Sequence, residues 1–159
     1  PVLWLSPKPR LRQSLLSPGV RLHEESTVGS WGHGNFENDD ALDYLAELEE
    51  SYGADLIVAA LNDALIDGYL EMPVASAALV AADALAAKNM NPRADLPTEI
   101  RDWLGRAKFP LTEQLLRQAH AAVARVETDS ELAEESTCKP NADEWHAELA
   151  DLKVRLSAA

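Results

Sequence analysis

Sulfur chemistry is nearly absent from this chain. Its one cysteine, Cys138, lies between Thr137 and Lys139 just ahead of Pro140, so no intramolecular bridge can close and no second thiol completes a metal knuckle. A reducing, cytoplasmic compartment is the expectation. Long apolar runs are missing too. The longest small-apolar stretch, Val74 to Ala82, is far too short to span a bilayer and is closed by Asp83. The amino-terminal stretch scatters Lys8, Arg10, Arg12 and Arg21 without the apolar run and small-residue cleavage site of a signal peptide, which argues against secretion. No run alternates β-branched with polar residues, and no repeat of solenoid length occurs, so nothing reads as strand or as a repeat array.

Positive charge is also scarce. Against 27 Asp and Glu stand 14 Lys and Arg, a formal net charge of −13. Nucleic-acid binding and attachment to anionic membranes rest on basic patches and counterion release, and this balance argues against both. Cationic partners fit better, although an acidic surface also serves simply to keep a small protein in solution. Familiar catalytic signatures are lacking as well. There is no phosphate-binding loop, no Gly-x-Ser-x-Gly elbow and no dinucleotide fingerprint, because Gly32 and Gly34 follow no strand.

What is present is one domain's worth of helical pattern. Residues 1–27 are rich in Pro, Ser and Arg, open on Pro1 and show no periodicity; they read as an unstructured or non-native extension, with Val28 the candidate first residue of a single helical domain over 28–159. The extension holds four of the cations and two of the carboxylates, so 28–159 carries 10 against 25, a net −15.

From Asn38 the pattern is amphipathic, with Ala41, Leu45, Leu48 and Tyr52 on one stripe and Gly53 as the stop. A second helix is expected from Asp55 to Asp67, ended by Gly68. The third, Pro73 to Lys88, is apolar all round apart from Ser76 and Asp83, as a helix contacted on every side should be. Pro97 opens a short helix with Ile100, Trp103 and Leu104 inward, and Thr112 precedes a longer one carrying Leu115, Leu116, Ala119, Ala122, Val123 and Val126. A short segment from Ser130 to Glu135 is a candidate helix. The last helix starts at a capping-box pattern, Asn141 with Glu144, and its seam is Trp145, Leu149, Leu152 and Leu156. The expected fold is all-α, an irregular bundle of five or six helices around the alanine-rich segment.

The most distinctive stretch runs from Gly29 to Ala41. Trp31, Gly32, Gly34, Phe36, Asn38 and Asp39, followed by Ala41, Asp43 and Leu45, resemble the opening of a bacterial family known as domain of unknown function 4259, whose members begin Trp-Gly-x-Gly-x-Phe-x-Asn-Asp. The likeness extends more loosely to the alanine-rich helix and to Ser130-Glu131-Leu132, and it implies no activity. In that family the motif lies near the start of the chain, which sets the first 27 positions apart. His33 falls at a variable position and inherits no role.

Physically, the glycines allow Trp31 and Phe36 to fold back as apolar plugs, with Asn38 and Asp39 capping the helix that follows. The functional alternative gathers Glu37, Asp39, Asp40 and Asp43 with His33 around a cation; its spacing matches no EF-hand loop and no zinc pattern. No metal and no cofactor is called for. Asp83, a lone carboxylate in an alanine-rich helix, needs either solvent or a cationic partner such as Arg101 or Arg117. His120 and His146 read as flank residues, and Cys138 has no histidine beside it to make a nucleophile.

No catalytic residue can be named. The leading expectation is a non-enzymatic adaptor, inhibitor or immunity-like protein whose carboxylates meet a basic protein partner; the alternative is a small metal-assisted hydrolase using the carboxylates between Trp31 and Asp43. Oligomeric state is not encoded in any of these features.

Overall fold

The structure, a computed structural model, describes residues 34–157. The extension 1–27 and the motif residues Trp31, Gly32 and His33 lie outside the described residues. Among those described there are seven helices and no strand: α1 (Asp39–Glu50), α2 (Asp55–Ala64), α3 (Met72–Lys88), α4 (Thr98–Arg106), α5 (Glu113–Thr128), α6 (Glu131–Thr137) and α7 (Ala142–Ser157). The all-α expectation holds, and the expected five or six helices become seven. The seventh is α6, the candidate helix expected over Ser130 to Glu135, which is short but properly started: the Ser130 hydroxyl accepts from the Ala133 amide at 3.0 Å and donates back to the Val126 carbonyl at 2.6 Å.

Helix α3 is the hub. Ala75, Ser76 and every residue from Ala78 to Ala87 are buried, and all six other helices pack on it. Alanine makes this possible, because side chains no larger than a methyl let several backbones approach one axis closely. The larger side chains come from the surrounding helices: Leu48, Ile57, Leu61, Ile100, Trp103, Val123, Val126, Leu149 and Leu152 are fully buried against it. Trp145 and Leu156 complete the expected seam of α7.

Two expected boundaries move, each for a tertiary reason. Tyr52 does not join the α1 stripe; it lies beyond the helix and is exposed. The chain leaves the helix at Ser51, whose hydroxyl donates to the Leu48 carbonyl at 2.8 Å while accepting from the Trp103 indole at 2.9 Å. Helix α2 stops at Ala64 and not at Asp67, leaving Leu65 partly exposed. The Arg125 guanidinium reaches across from α5 and donates to the carbonyls of Ala64, Ile66 and Gly68, which fixes the turn in place of another helical loop. Gly68 sits there at φ 127°, open to glycine and strained for any other residue.

The end of α3 determines what reaches its buried carboxylate. Met90 adopts φ 65°, the Asn91 amide returns to the Ala86 carbonyl at 3.0 Å and the Met90 amide to Ala87 at 3.1 Å. This is a Schellman termination with methionine where glycine is usual. It reverses the chain, so that Pro92 to Asp95 run back along the flank of α3.

Candidate functional site

The motif loop is built around one close approach. The Gly34 amide donates to Glu37 Oε2 at 2.7 Å, and the Glu37 amide donates to the Gly34 carbonyl at 3.0 Å. A Cβ on Gly34 would stand 3.1 Å from that carboxylate oxygen, a tight contact that would make the Glu37 side chain shift by a few tenths of an ångström. Asn38 then caps α1 as expected, its Oδ1 accepting from the Ala41 amide at 2.7 Å.

Between these two anchors, Asn35 and Phe36 are thrown onto the bundle. Phe36 packs against the core with its ring 5.3 Å from the Arg93 guanidinium. Asn35 is buried and donates from Nδ2 to Asp83 Oδ2 at 2.7 Å.

Asp83 is the chemical centre of the molecule. Its side chain is wholly buried on α3, and its partners are Arg155 of α7, with Nη2 at 2.8 Å from Oδ1, and Arg93 of the returning loop, with Nη1 at 3.8 Å from Oδ2. The expected partners Arg101 and Arg117 are both exposed, and Arg117 pairs instead with Glu113 on its own helix. The Arg155 approach lies off the N–H axis, so it joins the charges without an aligned hydrogen bond and leaves Asp83 Oδ1 and Arg155 Nη2 unsatisfied in that sense.

Arg155 is held by a second carboxylate and Arg93 by two more. Arg155 Nε donates to Asp151 at 2.6 Å; Arg93 donates to both oxygens of Asp95, at 2.6 and 3.1 Å, and to Glu148 at 3.0 Å. Burial pushes the Asp83 carboxyl up, while Arg155, Asn35 and Arg93 pull it back. Burial also works against both guanidinium charges, but the surrounding carboxylates more than offset it and hold them above their ordinary value. The Arg93 fork holds the Asp95 carboxyl below its ordinary value. Above this network the Pro92–Asp95 loop and α7 enclose an open groove of about 540 Å³, its rim carrying Asp95, Glu144, Glu148 and Asp151.

The motif carboxylates do not gather. Asp39 and Asp43 are exposed, Glu37 is engaged with the Gly34 amide, and among the described residues no group of three His, Cys, Asp or Glu is placed to hold a metal ion. His120 is exposed, His146 lies 3.6 Å from Glu127, and Cys138 is exposed with a free thiol. No helix among the described residues is long and apolar enough to cross a membrane.

The residues that do form a cluster, Asn35, Arg93 and Arg155, were not singled out by the sequence. Asn35 occupies a variable position of the motif, and the arginines lie in a loop and in the last turn of α7. The only available signal was the isolation of Asp83 itself, which demanded a cation without saying which.

Fold and site together define an all-helical protein with a charged network sealed around its central helix and carboxylates on its outer faces. The chain belongs to the family described as Domain of unknown function (DUF4259), whose model matches residues 29–148 and so includes Asn35, Asp83, Arg93 and Glu148, with Arg155 beyond the match. No curated protein and no solved structure matches it.

Proposed function

We propose that this protein is a non-enzymatic interaction module, an adaptor or inhibitor of the immunity-protein kind, that docks a basic protein partner through carboxylates on its outer helices. The observation that carries this reading is the outward face of α1. Asp39, Asp43, Glu47 and Glu50 form one stripe at successive spacings of four, four and three, flanked by Asp40 and Glu49, and the helix contains no cation. Among the described residues none of the six takes part in an ion pair.

Stability does not account for this arrangement. Asp39 and Asp40 suit the helix start, but Glu47, Glu49 and Glu50 crowd the last turn, where the dipole favours cations. Like charges at these spacings destabilise a helix by about 0.2 to 0.5 kcal/mol per pair, so the stripe costs about 1 kcal/mol. Five of the ten cations among the described residues are committed elsewhere: Arg93 and Arg155 to the core network, Arg125 to the α2–α3 turn, Lys153 to Glu127 and Lys139 to Glu135. Exposed and in no ion pair among the described residues, the stripe carboxylates of α1 act on the solvent, where a field of one sign accelerates encounter with a cationic surface.

The test is retention by the immobilised protein of a basic protein from an extract of its own cells at about 50 mM salt, compared with the variant Asp39→Lys/Asp43→Lys/Glu47→Lys/Glu50→Lys. The expected result is a basic protein held by the native chain, released by added salt and not held by the variant, since screening shortens such fields to about 10 Å at 0.1 M. Equal retention by both proteins overturns the reading.

A further inference from the structure

Just after α2, the chain exposes large apolar side chains on a turn that is rigidly built. Leu65 is partly exposed, and Ile66 and Tyr69 are each 63% exposed. Arg125 ties three carbonyls of this turn, those of Ala64, Ile66 and Gly68, to α5 through one guanidinium. The following segment is pinned to α6, with the Glu131 amide donating to the Leu70 carbonyl at 2.9 Å and the Met72 amide donating to Glu131 Oε2 at 2.8 Å.

Carboxylates surround these side chains. Asp63 and Asp67 precede and follow Ile66, Glu71 follows Tyr69, and Glu134 receives the Tyr69 hydroxyl at 3.3 Å. The first turn of α1 faces the same region: burial together with Asp43, Asp39 and Glu131 raises the Asp40 carboxyl above its ordinary value. Large apolar side chains in a preorganised backbone, rimmed mainly by carboxylates while Arg125 is committed to the turn's own carbonyls, have the composition of a binding hot spot with a polar rim, because little ordering entropy remains to be lost on docking.

The geometry points to the Leu65–Tyr69 turn as the anchoring part of the partner surface, fitting a segment of another protein in which an apolar residue is flanked by lysine or arginine. Charge complementarity selects this occupant: a second copy would bring like charge to like, and anionic lipid would be repelled for the same reason. The inference rests on the basic-partner reading and adds to it a location and an apolar requirement.

Two synthetic probes of equal positive charge separate the two ideas: an amphipathic Lys/Leu helix of about 16 residues, and its counterpart with every Leu replaced by Gln. Binding is followed by amide chemical shifts of the full chain and of the variant Ile66→Ser/Tyr69→Ser, whose changes are confined to exposed side chains. The expected outcome is that the amphipathic peptide perturbs residues 65–71 and 131–134 and binds the variant at least tenfold more weakly, while the Gln peptide binds both proteins equally and weakly. Salt-sensitive binding of both peptides with no loss in the variant overturns the location and leaves the basic-partner reading standing. Absence of salt-sensitive binding by either peptide overturns both. A dimer at micromolar concentration that dissolves in the variant assigns the turn to a second copy and overturns the inference.

Discussion

Replacing Arg155 by Met removes one corner of the network around Asp83, and the structure sets the size of the effect. The carboxylate is wholly buried, and loss of the contact at 2.8 Å leaves it with the Asn35 amide at 2.7 Å and with Arg93 at the longer distance of 3.8 Å. Removing one partner of a buried pair costs about 3 to 5 kcal/mol. Because two partners remain, Arg155→Met should fall near the lower end, about 3 kcal/mol. Asp83→Asn should cost less, about 2 kcal/mol, since both arginines keep carboxylates at hydrogen-bond distance in Asp151, Asp95 and Glu148. The double variant should cost about 3 kcal/mol and not 5, a coupling of about 2 kcal/mol within the range found for residues in contact. Urea unfolding followed by helical ellipticity measures all three. With a slope of about 1.5 kcal/mol per molar, the midpoint of Arg155→Met should fall by about 2 M. Strict additivity, or an Asp83→Asn variant within about 0.5 kcal/mol of the native chain, would refute the reasoning, the latter by showing that Asp83 sits in the core as a neutral acid.

Met90→Gly should stabilise the protein by roughly 0.5 kcal/mol, the relief of a left-handed backbone at φ 65° less the extra entropy of glycine in the unfolded chain, read as a small rise in the same urea midpoint. The Asp40 carboxyl should titrate above the ordinary carboxylate value by side-chain NMR, and Glu131→Gln should lower its midpoint. The signs for stability are opposite for Asp40 and Asp95. Asp40 binds its proton more tightly in the folded protein, so its contribution is full below the ordinary carboxylate value and is lost as pH rises through the raised one. Asp95, held low by Arg93, contributes above the ordinary value and loses that contribution as pH falls through the lowered one.

The helices were legible in the sequence wherever apolar spacing was local. Ala41, Leu45 and Leu48, the α5 stripe apart from the partly buried Leu116, and the α7 seam are buried as their period requires. The hub was legible for a different reason, since a helix without a polar face has nowhere to sit but the centre. Tyr52 and Leu65 broke the pattern because their fates are decided by Trp103 and Arg125, side chains about 50 and 60 positions away that terminate the helices from outside.

The site was half legible. An isolated Asp83 announces a charge in need of a partner, yet periodicity carries no information on which cation will arrive, and Arg101 and Arg117 were as eligible on paper as Arg93 and Arg155. Asn35 was hidden by the motif itself. The recurring letters Gly34, Phe36 and Asn38 shape and anchor the loop, whereas the buried contact with α3 is made by the residue between them.

The pairing of Asp83 with Arg155 also bears on how the molecule assembles during synthesis. The hub emerges from the ribosome well before the last turn of α7, and until then its carboxylate has only the more distant Arg93 as countercharge in an apolar interior. The first helices are therefore expected to gather loosely around a still-hydrated hub. Closure waits for α7, which completes the packing on the hub and brings the nearer of the two cations with it.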